Sequence, residues 1–193
     1  MSTNVPCMTV VTVSPDLLSS KDTILRSSCR AIDLSASADV VLAKMVALEL
    51  FATLFSDSSA VGLAAPQIGF SLQVIAISYT DKDSGLEKQF ALANPIMLSK
   101  GSEESTSSEF CLSVPGVSGR VSRSNATTLA AFDLLQETQI VMEAVGFLAR
   151  VVQHEVDHLS GTLYTDIAAG PLASASSYGR RRAVAVARRF RLP

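Results

Sequence analysis

Two histidines and a glutamate lie close together in the segment His154-Glu155-Val156-Asp157-His158. On a helix, residues four positions apart are separated by about 40° around the axis and share one face. Two imidazoles on one face can hold a divalent metal ion, and the adjacent carboxylate can take a proton from a water that the metal activates. The chain has only 2 histidines. The alternative interpretation is a pair of surface histidines on an ordinary helix.

A catalytic metal site of this kind needs a third protein ligand and an open position for water. Proteases with the same His-Glu-x-x-His pattern take that ligand from downstream, but Tyr164 stands where one would place a histidine. No glutamate follows Glu155, and Asp166 follows the helix too closely to be a good candidate. The upstream candidate is Cys111, because a thiolate binds zinc or ferrous iron well. A buried free cysteine is the alternative for that residue.

The elements that must position these residues follow the order helix, short strands, helix. Apolar residues at helical spacing predict a core helix over residues 38–56, with Val41, Met45 and Leu48 on its broad apolar face. Runs of β-branched residues predict short strands over residues 72–78, 88–92, 127–134 and 138–145.

Two further segments complete the predicted fold. The polar, low-complexity residues 99–108 predict a mobile surface loop. A helix over residues 146–159 would carry the two histidines and end at Gly161. Because helices and strands are segregated along the chain, we expect an α+β fold in which mostly antiparallel short strands pack around a central metal-binding helix.

The composition is that of a globular protein, with 48% hydrophobic and 18% charged residues among 193. A net charge of −2 does not favour nucleic-acid binding by the whole surface. The odd set of three cysteines, Cys7, Cys29 and Cys111, fits a reducing compartment better than a disulfide scaffold. The N-terminus lacks a secretory pattern, and no apolar run is long enough to span a bilayer, so we expect an intracellular protein without a membrane partner.

Three segments together resemble the signature motifs of the peptide deformylase family. They are residues 61–67 (VGLAAPQ), 109–113 (EFCLS) and 153–161 (QHEVDHLSG), and they occur in the family's order. The resemblance covers roughly residues 20–167. Members of the family remove the formyl group from the N-terminal formylmethionine of newly made chains, with a divalent metal held by one cysteine and two histidines. The resemblance therefore implies Cys111, His154 and His158 as metal ligands and Glu155 as the general base.

The resemblance also implies the residues that surround the reacting group. The side-chain amide of Gln67 and the backbone N–H of Leu112 would stabilise the developing oxyanion. Ferrous iron is the expected native ion, while zinc, nickel or cobalt fit the same ligands. N-formylmethionyl nascent peptides are the implied substrates, in a cleft that we expect to be lined by Val61, Gly62, Glu109, Phe110 and Phe147.

A physical reason places Gly62 in this cleft, whereas Val61 and Phe147 have a structural alternative. Gly62 would let the substrate backbone approach closely, since it has no Cβ. Val61 and Phe147 map to the pocket for the methionine side chain, but core packing is an equal alternative for both.

Some positions depart from the family pattern. Ala60 and Phe110 stand where glycine is usual, and Ser118 stands where many members carry an arginine. The departures at Phe110 and Ser118 motivate one alternative function, a catalytically weakened, deformylase-like peptide-binding protein, against which the retained Glu155 argues. A metallopeptidase that uses the His-Glu-x-x-His pattern is the other alternative, and the missing downstream ligand argues against it.

The C-terminal end is basic, and we expect residues 1–170 to form the catalytic domain and residues 171–193 a separate tail. The tail contains apolar residues at the spacing of a short amphipathic helix between six arginines, Arg180, Arg181, Arg182, Arg188, Arg189 and Arg191. A polybasic segment favours phosphate-rich partners, and by resemblance we expect contact with the ribosome. A solvated tail is an equal alternative. The expected location is the cytoplasm of a bacterium or, in a eukaryote, an organelle.

Overall fold

The computed structural model describes residues 8–13, 23–57, 59–81 and 84–174. The arginines of the predicted basic tail and Cys7 lie outside the described residues, so the predictions about them are not addressed by the fold. Among the helices that are described, none combines the length and the apolar character that a bilayer span requires.

The described chain contains three α-helices and eight strands. The helices are α1 (Ser37–Ser56), α2 (Phe147–Leu159) and the short α3 (Tyr164–Ile167). One 3₁₀ turn, Ile24–Arg26, precedes α1, and a second, Ala65–Ile68, follows β1. The strands are β1 (Gly62–Ala64), β2 (Val74–Thr80), β3 (Glu87–Lys100), β4 (Glu104–Cys111), β5 (Val114–Ser124), β6 (Ala126–Asp133), β7 (Thr138–Val145) and β8 (Ala173–Ser174).

The strands form two antiparallel sheets. The larger has the order β1-β2-β3-β6-β7, and the smaller has the order β4-β5-β8. The predicted α+β class with mostly antiparallel strands is confirmed. The two predicted helices and the strands over 127–134 and 138–145 are confirmed to within one residue at each end.

The larger sheet lies between the two long helices, and the side chains of β2 show why. Val74 and Ala76 pack in the same core cluster as the buried residues of α1. Ile75 and Ile77 pack in the cluster that contains Val152 of α2. Because successive side chains of a strand point to opposite faces, a strand covered on both faces has a continuous apolar run rather than an alternating one. On its other side α2 also contacts β5 of the smaller sheet, so the helix lies between strands of both sheets, which agrees with the central position predicted for it.

Two features of the fold differ from the prediction. Val41, Met45 and Leu48 are more than half exposed. Only one side of α1 packs against the sheet, and these three residues lie on its other side. Most of the predicted mobile loop over residues 99–108 instead lies in strands, because β3 runs to residue 100 and β4 begins at residue 104. The prediction failed because β4 is an exposed edge strand with polar side chains, so its sequence has no apolar pattern. Backbone hydrogen bonds to β5 hold it in place.

Candidate active site

The three predicted metal ligands come together where β4 ends beside α2. Their donor atoms all lie within 4.8 Å of one another, and Cys111 Sγ is 3.4 Å from His158 Nε2. The imidazole centroids of His154 and His158 are 5.0 Å apart, as expected for one face of a helix. A thiolate and two imidazoles are a donor set that suits zinc or ferrous iron. The residues present therefore fit a divalent metal ion.

An irregularity in the small sheet aims Cys111 at the helix. Between two paired positions, β4 has one residue, Phe110, whereas β5 has the four residues 115–118. The chain then reverses at Leu112-Ser113. Bulges of this kind re-aim a side chain next to a site.

Glu155 is buried next to the first histidine, with only 4% of its surface exposed. Burial raises its pKa to about 7, although His154 and Arg123 favour the charged form. Its Oε2 atom has no hydrogen-bond partner among the residues that the structure describes. A carboxyl group with a pKa near 7 can both accept and return a proton at neutral pH.

Gly62 lies directly against this carboxyl group. A Cβ added to Gly62 would lie 2.9 Å from both Cδ and Cγ of Glu155. The glycine is not needed for its backbone conformation, since its φ lies outside the left-handed region and it pairs with Ile77 in β1. The structure therefore gives a reason for the glycine that differs from the predicted one: its missing side chain makes room for Glu155.

Gln67 reaches the site from the 3₁₀ turn after β1 and is almost fully buried. Its Oε1 accepts a hydrogen bond from the backbone N–H of Ala64 at 2.8 Å. Its Nε2 donates to Cys111 Sγ at 3.3 Å and to the hydroxyl of Ser113 at 3.2 Å. Leu112 follows Cys111 directly, and its side chain packs against the core under α1. Both predicted oxyanion donors are thus next to the cysteine ligand.

Glu109 has partners that differ from the predicted substrate contact. Its buried carboxylate lies 2.9 Å from His154 Nδ1, accepts two hydrogen bonds from Arg123 at 2.7 and 2.9 Å, and accepts one from Arg150 at 2.7 Å. Burial opposes ionisation, but the bonds from His154 and Arg123 outweigh it and lower the pKa of Glu109 to about 2. The carboxylate is not available to a substrate. It holds Nδ1 of His154 instead, which leaves Nε2 for a metal.

Two members of this charge network, Arg123 and Asp157, were not among the predicted site residues. The guanidinium of Arg123 also donates to Asp157 at 2.7 Å, so it links β5 to the helix that carries the histidines. Arg123 occupies an inward position in the alternation of β5, in which Arg120 and Ser122 are exposed and Val121 is buried. This alternation was the one available signal, and it is weak because buried arginines are rare.

Tyr164 forms a wall beside the first histidine. Its ring stacks on the imidazole of His154 with centroids 6.1 Å apart, and its hydroxyl donates to the carbonyl of Val117 at 3.0 Å. Burial raises the pKa of this phenol well above its usual value. The residue that was considered only as a missing histidine therefore helps to enclose the site.

The remaining predicted cleft residues have different surroundings. Val61 is partly buried and packs against the cluster under α2, which fits its core alternative. Phe147 is 57% exposed at the first position of α2, so the core alternative is wrong for this residue. Phe110 is partly buried beside Cys111. Ser118 pairs with Ala173 of β8.

A Cys-His-His donor set with a buried glutamate on the same helix is the arrangement of a metal-dependent hydrolase. The model of the family "Polypeptide deformylase" matches residues 15–172. The peptide deformylase of Natranaerobius thermophilus is 41% identical over 110 residues, which are 57% of this chain and 67% of that protein. Peptide deformylase 1 of Clostridium perfringens is 35% identical over 145 residues, 75% of this chain and 91% of that protein.

The fold gives the same relationship. The Met-Ala-Ser-bound crystal structure of the class I type b peptide deformylase from Acinetobacter baumannii superposes with a TM-score of 0.69 at 29% identity, over 84% of this chain and 98% of that one. The chain belongs to the polypeptide deformylase family. The resemblance seen in the three sequence motifs is thereby confirmed, as is the predicted class of enzyme.

Proposed function

We propose that this protein removes the formyl group from the N-terminal formylmethionine of newly made chains and releases formate. Cys111, His154 and His158 hold one divalent metal ion, and Glu155 transfers protons. The observation that carries the proposal is the convergence of the three donor atoms beside a buried carboxyl group. A divalent ion in this position supplies a Lewis acid, which makes water more acidic and polarises a carbonyl oxygen.

The protein's own residues account for the remaining chemistry. Glu155 accepts a proton from the attacking water at its carboxylate. The amide Nε2–H of Gln67 and the backbone N–H of Leu112 donate to the oxygen of the formyl group as it becomes negative. When the C–N bond breaks, Glu155 returns the proton to the leaving amine, so that one water yields formate and a free N-terminus.

The three ligands accept several divalent ions, so the identity of the native ion is proposed separately. We infer ferrous iron, and the thiolate among the donors supports a soft ion over magnesium or calcium. Zinc, nickel and cobalt are accepted by the same donors. Metal analysis of protein purified without oxygen tests this inference, and a preparation that contains zinc but no iron contradicts it.

The substrate cleft follows from the same site. The Acinetobacter baumannii deformylase was crystallised with Met-Ala-Ser bound, which supports a peptide that begins with methionine as the ligand here. Exposed Phe147 and partly buried Val61 offer apolar surface for its side chain. Phe110, where the family usually has glycine, adds a partly buried ring next to Cys111.

Partner and location are proposed from the sequence. The basic residues beyond 174 are the candidate for ribosome contact, in the cytoplasm of a bacterium or in an organelle. Deleting residues 175–193 tests the contact, because this deletion leaves β8 paired with β5. We expect the truncated protein to lose co-sedimentation with ribosomes, and unchanged co-sedimentation contradicts the contact.

One assay separates the proposed activity from its alternatives. We expect metal-loaded protein to release formate from a formyl-Met peptide, and Glu155→Gln to lower the rate by about a thousandfold or more while it still binds metal. Cleavage of a peptide bond without formate indicates a metallopeptidase. Binding of the peptide with no turnover indicates a peptide-binding protein.

A further inference from the structure

The carboxamide of Gln67 is fixed at both of its ends. Its oxygen accepts the backbone N–H of Ala64, and its nitrogen donates to Cys111 Sγ and to the hydroxyl of Ser113. Since the N–H of Ala64 must face an oxygen, the amide cannot flip, and its NH₂ group must face the cysteine. The two hydrogens of that group lie in one plane, so holding one of them also sets the direction of the other.

Ser113 holds the hydrogen that does not face the site. The side chain of Ser113 is completely buried, and its hydroxyl is the acceptor for Gln67 Nε2 at 3.2 Å. With this hydrogen bond in place, the second N–H of Gln67 points toward the cysteine ligand, where the formyl oxygen of a substrate would be. Without it, the carboxamide keeps its hydrogen bonds to Ala64 and Cys111 but loses one of its three anchors, so small rotations about its terminal bond, a torsion with broad minima, are less opposed.

The backbone around both residues is clamped by the same segment. Val11 N–H donates to the carbonyl of Gln67, and Val13 N–H donates to the carbonyl of Ser113, each at 2.7 Å. The N-terminal segment therefore bridges the 3₁₀ turn that carries Gln67 and the turn that carries Ser113. The relative position of the two side chains is thus fixed by main-chain hydrogen bonds as well as by their own contact.

We propose that Ser113 is a positioning residue for the oxyanion donor Gln67. This inference rests on the proposed deformylase function, and it assigns Ser113 a task in the transition state rather than in substrate or metal binding. A group that acts only on the transition state changes kcat and leaves KM nearly unaltered.

The test measures formate release by metal-loaded Ser113→Ala, with wild type as the reference for the activity itself. We expect kcat to fall by about ten- to a hundredfold, less than the full loss of an oxyanion donor, with metal content unchanged and KM within about twofold. The matched control is Ser124→Ala, which also removes a buried serine hydroxyl but one bonded to the carbonyls of Gly101 and Ala126. We expect its kcat to remain near wild type.

A double-mutant cycle distinguishes positioning from general stabilisation. If Ser113 acts through the amide, Ser113→Ala will lower kcat by less than about threefold when Gln67 is already alanine. Full multiplication of the two losses overturns the proposal, and so does wild-type kcat in Ser113→Ala. Ser113→Thr keeps the hydroxyl and should retain a higher kcat than the alanine variant, and equal rates for the two also overturn the proposal. Absence of formate release in wild type would instead refute the proposed function.

Discussion

Gly62 and Glu155 occupy adjoining space that a single methyl group would fill. An added Cβ at position 62 would come within 2.9 Å of Cδ and Cγ of the glutamate. The contact joins the edge strand β1 to the helix that carries the histidines. The position of the proposed base is therefore determined by a residue of the first sequence motif that has no side chain.

Gly62→Ala is expected to lower kcat on the order of a hundredfold, since the carboxyl group must move by a large fraction of an ångström from its place. The metal ligands are untouched, so metal content should remain at one ion per chain. Formate release and metal content are measured on the same preparation. Gly101→Ala is the control, because a Cβ there meets its nearest neighbour, Ala126, at an ordinary 3.4 Å.

Combining Glu155→Asp with Gly62→Ala tests whether the two residues act through their contact. A shorter carboxylate lowers kcat in the wild-type background, but it should lower kcat much less, or raise it, when position 62 is alanine. Independent, multiplying losses would show that the two residues do not act through one another.

The helix of the site could be predicted from local sequence, because the spacing of its histidines and the glycine that follows its end, Gly161, lie within about fifteen residues. Cys111 required a different argument, since nothing local distinguishes a ligand from a buried thiol. The missing downstream ligand and the three-motif resemblance supplied that argument. The donor atoms are close together as that argument requires.

The charge network could not be predicted in the same way. Arg123 meets Glu109 across 14 positions and Asp157 across 34, and each charge taken alone is typical of an exposed surface. These charged side chains can be buried only because they pair with one another, and the fold decides which charges meet. Likewise, the polar β4 has no apolar pattern of its own, because backbone hydrogen bonds to β5 hold it.

Glu109→Gln tests the proposed support of the first histidine. The amide no longer attracts the Nδ1 hydrogen of His154 as a carboxylate does, so we expect metal affinity to fall by about ten- to a hundredfold. Competition with a chelator of known affinity measures the change. Glu104→Gln, on the same strand, changes an exposed carboxylate that accepts a hydrogen bond from the hydroxyl of Ser122, and it should bind metal as wild type does.

The same carboxylate predicts how the metal-free protein responds to acid. The pKa of Glu109 falls from 4.5 to about 2 on folding, so the charged form stabilises the native state. The contribution is fully present above pH 4.5 and is lost as the pH falls toward 2, and it amounts to about 3 kcal/mol. Urea unfolding measures it as the difference in unfolding free energy between wild type and Glu109→Gln.

We expect that difference to be large at pH 6 and to shrink between pH 4.5 and pH 2. A difference that stays constant over this range would show that Glu109 is not the group that titrates. Glu104→Gln again serves as the control and should leave the unfolding free energy within about 0.5 kcal/mol of wild type.

Asn94 links β3 to the segment before α1 through its side chain, and its backbone has the left-handed conformation that few residues other than glycine adopt. Its side chain accepts the N–H of Ile32 at 2.7 Å and donates to the carbonyl of Ile32 at 2.8 Å, and its φ is 50°. Asn94→Gly removes the two hydrogen bonds but tolerates the positive φ, so we expect a loss of about 1–3 kcal/mol in unfolding free energy. Asn94→Ala removes the same bonds and adds strain of about 1–2 kcal/mol. Alanine should therefore be the less stable variant in urea unfolding, and equal stabilities would mean that the left-handed backbone is not maintained in solution.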